Sequence, residues 1–145
     1  MSRFAALSHA ETLQQLRSAN VLVFPSIRDF GWGVVFAALA VGVVPVVVDF
    51  GRPGDIVHPG IGRKVPLTDE TDVVLQMEKI LAASAQDRDL LDRLRQQGMS
   101  YARESLTWDA KAQILTLIMH WTLRRGPTPN LPPPTMLHLK PVSSS

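Results

Sequence analysis

The chain has 145 residues, 46% of them hydrophobic and 19% charged, which suits one domain with a buried core. It has no cysteine, which excludes a disulfide framework and a thiolate metal site; this fits a reducing compartment, and a cytoplasmic location is expected. The net charge of +2 comes from Arg and Lys scattered among Asp and Glu, and without a basic patch no nucleic-acid partner is expected.

The first twelve residues, MSRFAALSHAET, show no long apolar core and no cleavage pattern, so no signal peptide is expected. Ser8-His9-Ala10-Glu11 fits a capping box, in which hydroxyl and carboxylate satisfy free amides at a helix start. The spacing predicts a helix over 9–19, with Leu13 and Leu16 on one face and Asn20 closing it. Val21-Leu22-Val23-Phe24 reads as a strand buried on both faces, ended by Pro25. A helix follows from Trp32 or Gly33 to Val41; it has no polar face, so it is expected to be buried all round, with Gly42 as its C-cap. Residues 45–50 predict a second strand, with Pro45 at its permitted first position. The uncharged stretch 33–48 is interrupted by Gly42 and Pro45 and falls short of the about 20 apolar residues a spanning helix needs. It reads as buried helix plus strand, and no transmembrane segment is expected. Strand, helix and strand in that order imply a right-handed parallel crossover.

Residues 53–57 predict one helical turn with Pro53 at its first position, and 64–67 a third, edge strand. Helices are predicted over 70–83, with Val73, Val74, Met77, Ile80 and Leu81 at helical spacing, and over 87–104, with Leu90, Leu91, Leu94 and Tyr101 inward. Thr107 caps a last helix to about Leu123, with Trp108, Ala112, Leu115, Met119 and Thr122 on one stripe; Trp108 and Trp121 read as core. The charges of Asp87-Arg88-Asp89 and Asp92-Arg93 read as a solvated helix face. Residues 126–145 hold six prolines and no apolar periodicity. They predict a disordered or polyproline tail, read as an idle terminus before an SH3-type ligand. Two units result: an α/β half-lobe over 1–125 and the tail over 126–145. The fold class is α/β, a partial Rossmann-like lobe with a short parallel sheet and C-terminal helices. Unpaired parallel edges are sticky, so a partner chain, a preceding lobe or self-association is expected.

Ligands in open α/β sheets sit beyond the carboxyl ends of the strands. That puts two loops forward, 26–33 and 49–55. In the first, glycine lets backbone approach a ligand closely, and the helix start aims free N–H groups at it, which favours a phosphate or diphosphate. Asp29 is placed to accept hydrogen bonds from sugar hydroxyls. On spacing alone the loop reads equally well as a plain strand-to-helix turn. Elsewhere, His9, His58, His120 and His138 lie far apart, so no metal site is expected. His58 reads as a loop histidine before a phosphate contact, and Ser26 as a loop hydrogen-bonder with no nucleophile pattern. A nicotinamide fingerprint needs a third glycine where Phe36 stands.

The segment 21–57 resembles the donor-binding lobe of retaining GT-B glycosyltransferases, the glycosyltransferase group 1 family, and a looser likeness runs over about 8–120. Pro25-Ser26-Ile27-Arg28-Asp29 matches the family's strand end and first acidic residue, and Phe30-Gly31-Trp32-Gly33 its Gly-rich loop. Ala38-Leu39-Ala40-Val41-Gly42 matches the small-residue helix end, and Gly51-Arg52-Pro53-Gly54-Asp55-Ile56-Val57 the next Gly-rich loop. The resemblance implies a nucleotide diphosphate sugar as donor substrate, with no metal or other cofactor, and transfer of the sugar with retained configuration. It implies a donor site of Ser26, Asp29, Phe30, Gly31, Trp32, Gly33, Val34, Ala37, Gly51 and Pro53, in which Asp29 meets the sugar and the amides of 31–34 meet sugar and diphosphate. The family's second acid, which binds the ribose, falls at Ala37, which has no acceptor. Asp29 is one methylene shorter than the family's Glu, Trp32 stands where a small residue is usual, and Arg52 replaces a second glycine. The family's basic diphosphate pair and acceptor lobe lie upstream of the matched strand. The chain is therefore expected to be a fragment or degenerate member of the family, inactive by itself, for which no catalytic residue is named. The alternative is a non-catalytic interaction module derived from a transferase lobe.

Overall fold

The computed structural model describes residues 7–28, 32–123 and 126–130. The tail beyond Asn130 and the first six residues lie outside the described residues, and with them the expectations made for those segments. The elements run α1 (His9–Arg17), β1 (Val21–Phe24), α2 (Trp32–Ala40), β2 (Val44–Val48), α3 (Gly51–Ile56), β3 (Arg63–Val65), α4 (Glu70–Gln86), α5 (Arg88–Ser105) and α6 (Trp108–Thr122). Among the described residues no helix is long and apolar enough to cross a membrane.

The capping box forms at α1. The Glu11 carboxylate accepts from the Ser8 amide at 2.8 Å, and the Glu11 amide donates to Ser8 Oγ at 3.3 Å. The Ser8 hydroxyl also donates to the carboxylate at 2.7 Å. That hydroxyl bond first, and the backbone bond second, hold the Glu11 carboxyl below its ordinary pKa. The helix ends at Arg17, two residues before the expected close, where the Ser18 hydroxyl and amide both donate to the Gln15 carbonyl.

At the other end of α2, Gly42 does what its position predicts. With φ +75° it lets the Val43 amide reach the Ala38 carbonyl at 2.8 Å and its own amide reach Leu39 at 3.2 Å. That pair of bonds is a Schellman motif. Its apolar partners, Val43 and Ala38, pack together with Leu16. The motif delivers the chain straight into β2.

The three strands pair in parallel in the order β1-β2-β3. Val21 to Phe24 lie beside Val44 to Val47, and Val46 to Val48 beside Arg63 to Val65. Alternation then assigns the faces. Leu22, Phe24 and Val47 point to one face, where Val35 and Leu39 of α2, Ile56 of α3 and Ala102 of α5 cover them. Val46, Val48 and Val65 point to the other, under Val73 and Met77 of α4. Val44 on that second face meets Leu91 and Leu94. Helix α5 thus begins on one face and ends on the other, passing beneath the N-terminal ends of the strands. There Arg95 ties it down, Nε donating to the Gly42 carbonyl at 2.9 Å and Nη1 to Asn20 Oδ1 at 3.3 Å. The result is a three-layer α/β unit, a partial Rossmann-like sheet.

Several expectations are corrected. Strand β1 is half-buried, not buried on both faces, and Val23 is 40% exposed. An all-apolar run suits either position, and among the described residues β1 is an edge strand. Strand β2 starts at Val44 and stops at Val48, because Gly51, with φ +57°, turns the chain into α3 two residues before Pro53. Pro53 still sits in the first turn, where its missing N–H costs nothing. Helix α4 runs on to Gln86, and Val74 on it is 58% exposed. Helix α6 buries no residue: Trp108 is 89% exposed, and Trp121 is also exposed. Its half-buried residues are Ala110, Ile114 and Ile118, a different stripe from the expected one. A helix with apolar residues on two faces offers more than one stripe, and periodicity does not choose between them.

Candidate functional site

Strands β1 and β2 end side by side, Phe24 level with Val47, so the loops that follow start one strand spacing apart, about 4.8 Å. This is the carboxyl end of the sheet, and α2 begins there with its first N–H groups free of intrahelical partners. In the first loop, Ser26 Oγ lies 3.2 Å from both the amide and the carbonyl of Arg28. Accepting from that amide, the hydroxyl closes a tight local turn, so Ser26 shapes the loop as a hydrogen-bonder. Gly33 is exposed, and a Cβ built on it meets none of the described residues within 4 Å. No contact with the described residues requires glycine there.

The second loop is held from below. A Cβ on Gly54 would stand 2.9 Å from the Asp49 carbonyl carbon, so glycine lets α3 fold back on the end of β2. Lys64 on β3 completes the clasp: its Nζ donates to Asp49 Oδ1 at 2.8 Å and to the Gly54 carbonyl at 3.0 Å. Both side chains of that ion pair are partly solvated, so it contributes at most about 1 kcal/mol. Its role here is to fix where the loop sits.

Of the ten residues expected at a donor site, Asp29, Phe30 and Gly31 lie outside the described residues. Trp32 is the first residue of α2. Ser26, Gly33 and Gly51 stand at the carboxyl end of the sheet, the last two exposed. Val34 and Ala37 are half-buried, packed against the Leu16, Ala38 and Val43 cluster that joins α1 to α2. Pro53 is buried in α3. Two apolar side chains that no motif singled out join the loops: Ile27 is 54% exposed and Phe50 47%.

His58 is at the opposite end of the sheet, in the turn between α3 and β3. Its ring meets Tyr101 edge to face, 5.7 Å between centroids, and Nδ1 accepts from the Gly60 amide at 3.2 Å. A structural histidine results, away from the loops. Among the described residues no three His, Asp or Glu side chains are grouped to hold a metal.

An open groove of about 420 Å³ runs along β3, lined by Asp49, Pro59, Gly62, Arg63, Lys64 and Pro66. It touches the candidate crevice only at Asp49. Its cations are engaged within the fold: Arg63 Nη1 donates to the carbonyls of Pro59 and Gly62 at 2.8 and 2.9 Å, and Lys64 holds Asp49 and Gly54. The groove therefore lacks a poised anion receptor.

No model of a known protein family matches the chain, and no curated protein matches it.

Proposed function

We propose that the carboxyl end of this sheet is a weakened donor site for a nucleotide diphosphate sugar, on a lobe of the retaining GT-B glycosyltransferase type. One observation carries the reading: two adjacent parallel strands end in loops beside a helix start, and at Gly33, in the first turn of that helix, a Cβ would meet none of the described residues within 4 Å. Backbone N–H groups at a helix N-terminus suit a diphosphate, and glycine admits it closely. Ile27 and Phe50, exposed in the two loops, supply apolar surface for a sugar or base.

The chemistry assigned to this chain is binding, not transfer. The ribose anchor of the motif is Ala37, which has no acceptor. A charge-assisted hydrogen bond of that kind contributes about 1.5–3 kcal/mol, so donor affinity is expected to be at least roughly tenfold lower than with a carboxylate. The test is an amide NMR titration of the chain with uridine- and guanosine-diphosphate sugars. Shifts confined to residues 26–34 and 49–55 support the donor reading. A second titration of the Trp32→Gly variant, which restores the small residue usual at that motif position, is expected to gain affinity, and no response from either protein ends the proposal.

The second reading, a non-catalytic interaction module, is favoured by the exposed apolar residues of α6 and by Val23 on the open edge of β1. Under it, partner binding persists while every nucleotide is ignored.

A further inference from the structure

Helix α6 is apolar yet buries nothing of its own. It touches α5, and its half-buried stripe is Ala110, Ile114 and Ile118. About a third of a turn away runs a second stripe, Trp108, Ala112, Leu115 and Met119, all exposed. We propose that this second stripe pairs, antiparallel and across a two-fold axis, with the same stripe of a second copy of this chain.

Three observations select a second copy as the occupant. The first is spacing. The steps along the stripe are four, three and four residues, which read the same from either end. A two-fold axis between Ala112 and Leu115 therefore sets Ala112 against Leu115 of the second copy and Trp108 against its Met119. Small meets large at the centre, and at each end an indole meets a thioether, a favourable contact. A self-complementary patch is what an isologous dimer requires. The second is charge. Asp109 lies in the first turn of α6 and His120 in the last, on one flank of the stripe. Antiparallel pairing brings each acidic start level with the other copy's basic end, and the two helix dipoles oppose. The third is area. Trp108 is 89% exposed, with Leu115 and Met119 above half, a contiguous patch of roughly a few hundred Å², the upper range for a monomer. A standard interface takes about 800 Å² from each partner, so the pairing is expected to be reversible and concentration-dependent.

Sedimentation velocity on the full 145-residue chain reads this directly. A species of twice the 16.0 kDa chain mass is expected to grow with concentration. Leu115→Lys puts a charge over Ala112 of the other copy and is expected to raise the dissociation constant at least roughly tenfold. Leu115 is 57% exposed in the single chain, so an unchanged circular dichroism spectrum is expected beside that loss. A monomer at every concentration, or a dimer indifferent to Leu115→Lys, overturns the proposal. Orientation has its own readout, because the chain has no cysteine. Ala112→Cys and Leu115→Cys proteins, mixed and oxidised, are expected to cross-link to each other in preference to themselves. Preferential Ala112→Cys self-linking means a parallel pair and overturns the antiparallel register.

Discussion

The Arg95 guanidinium donates to the Gly42 carbonyl across 53 residues of chain, at 2.9 Å. Gly42 is also the left-handed residue that ends α2. One carbonyl therefore joins the end of a crossover helix, the start of β2 and the helix that passes beneath the sheet. The second bond of Arg95, to Asn20 Oδ1, adds the start of β1. Hydrogen bonds to a charged group contribute about 1.5–3 kcal/mol, less where solvent competes. Arg95→Met keeps the aliphatic stem and removes both bonds. It is expected to lower unfolding free energy by about 1–2 kcal/mol, seen as a lower urea midpoint with an unchanged m-value.

Gly62 leaves no room for a side chain. A Cβ there would stand 2.5 Å from the Pro45 carbonyl oxygen and 2.7 Å from Val57 Cγ1. The oxygen belongs to the backbone of the central strand, so it has no rotamer to move away. Gly62→Ala is expected to cost about 3 kcal/mol, at the upper end of overpacking effects, measured as a large fall in the midpoint. Gly98→Ala is its control. There the close atom is Leu39 Cδ2 at 3.0 Å, the tip of a side chain. Alanine also recovers most of the roughly 1 kcal/mol that glycine costs a helix, so a change within about 1 kcal/mol is expected.

The capping box predicts a local pH response. The Glu11 carboxyl lies below its ordinary value of 4.5 because the Ser8 hydroxyl and amide bind its charged form. A carboxyl depressed in the folded state stabilises α1 fully above its unfolded pKa, and that contribution is lost as pH falls through the folded value. Carboxyl-carbon NMR is expected to show Glu11 titrating below the ordinary glutamate value. Ser8→Ala is expected to return it toward that value, and Glu11→Gln, which keeps an acceptor in the box, to remove the response.

Local signals carried much of this fold. Val21-Leu22-Val23-Phe24 between Asn20 and Pro25 marks β1, Gly42 marks the end of α2, and Thr107 caps α6 through its Oγ1 to the Ala110 amide at 3.2 Å. What stayed hidden is tertiary. An apolar strand does not state whether it is central or at an edge, so the exposure of Val23 had no signature. Helix α6 has several apolar stripes, and which one meets α5 depends on how α5 crosses the sheet. Lys64 and Asp49 stand 15 residues apart with no pattern linking them. At the candidate site, the loops were legible as Gly-rich turns after strands. The inward packing of Ala37 and Pro53 was not, because a motif position does not report which way a helix faces.

Gly33 separates the needs of the fold from those of a ligand. It lies in the first turn of α2, exposed, and a methyl group at its Cα would find no atom of the described residues within 4 Å. Its φ lies outside the left-handed region, which only Gly42 and Gly51 occupy among the described glycines. Gly33→Ala therefore strains nothing, and restricting the unfolded chain is expected to stabilise the protein by about 0.4–1 kcal/mol. A bound diphosphate changes the outcome. Under the donor-site proposal the Gly33 amide serves the diphosphate, and a methyl beside it crowds the approach that glycine allows. The expected result is a slightly raised melting temperature together with a several-fold loss of affinity for a nucleotide diphosphate sugar, measured on the same preparation by thermal unfolding and NMR titration. Raised stability with unchanged affinity would remove Gly33 from the binding loop and leave it an ordinary turn glycine.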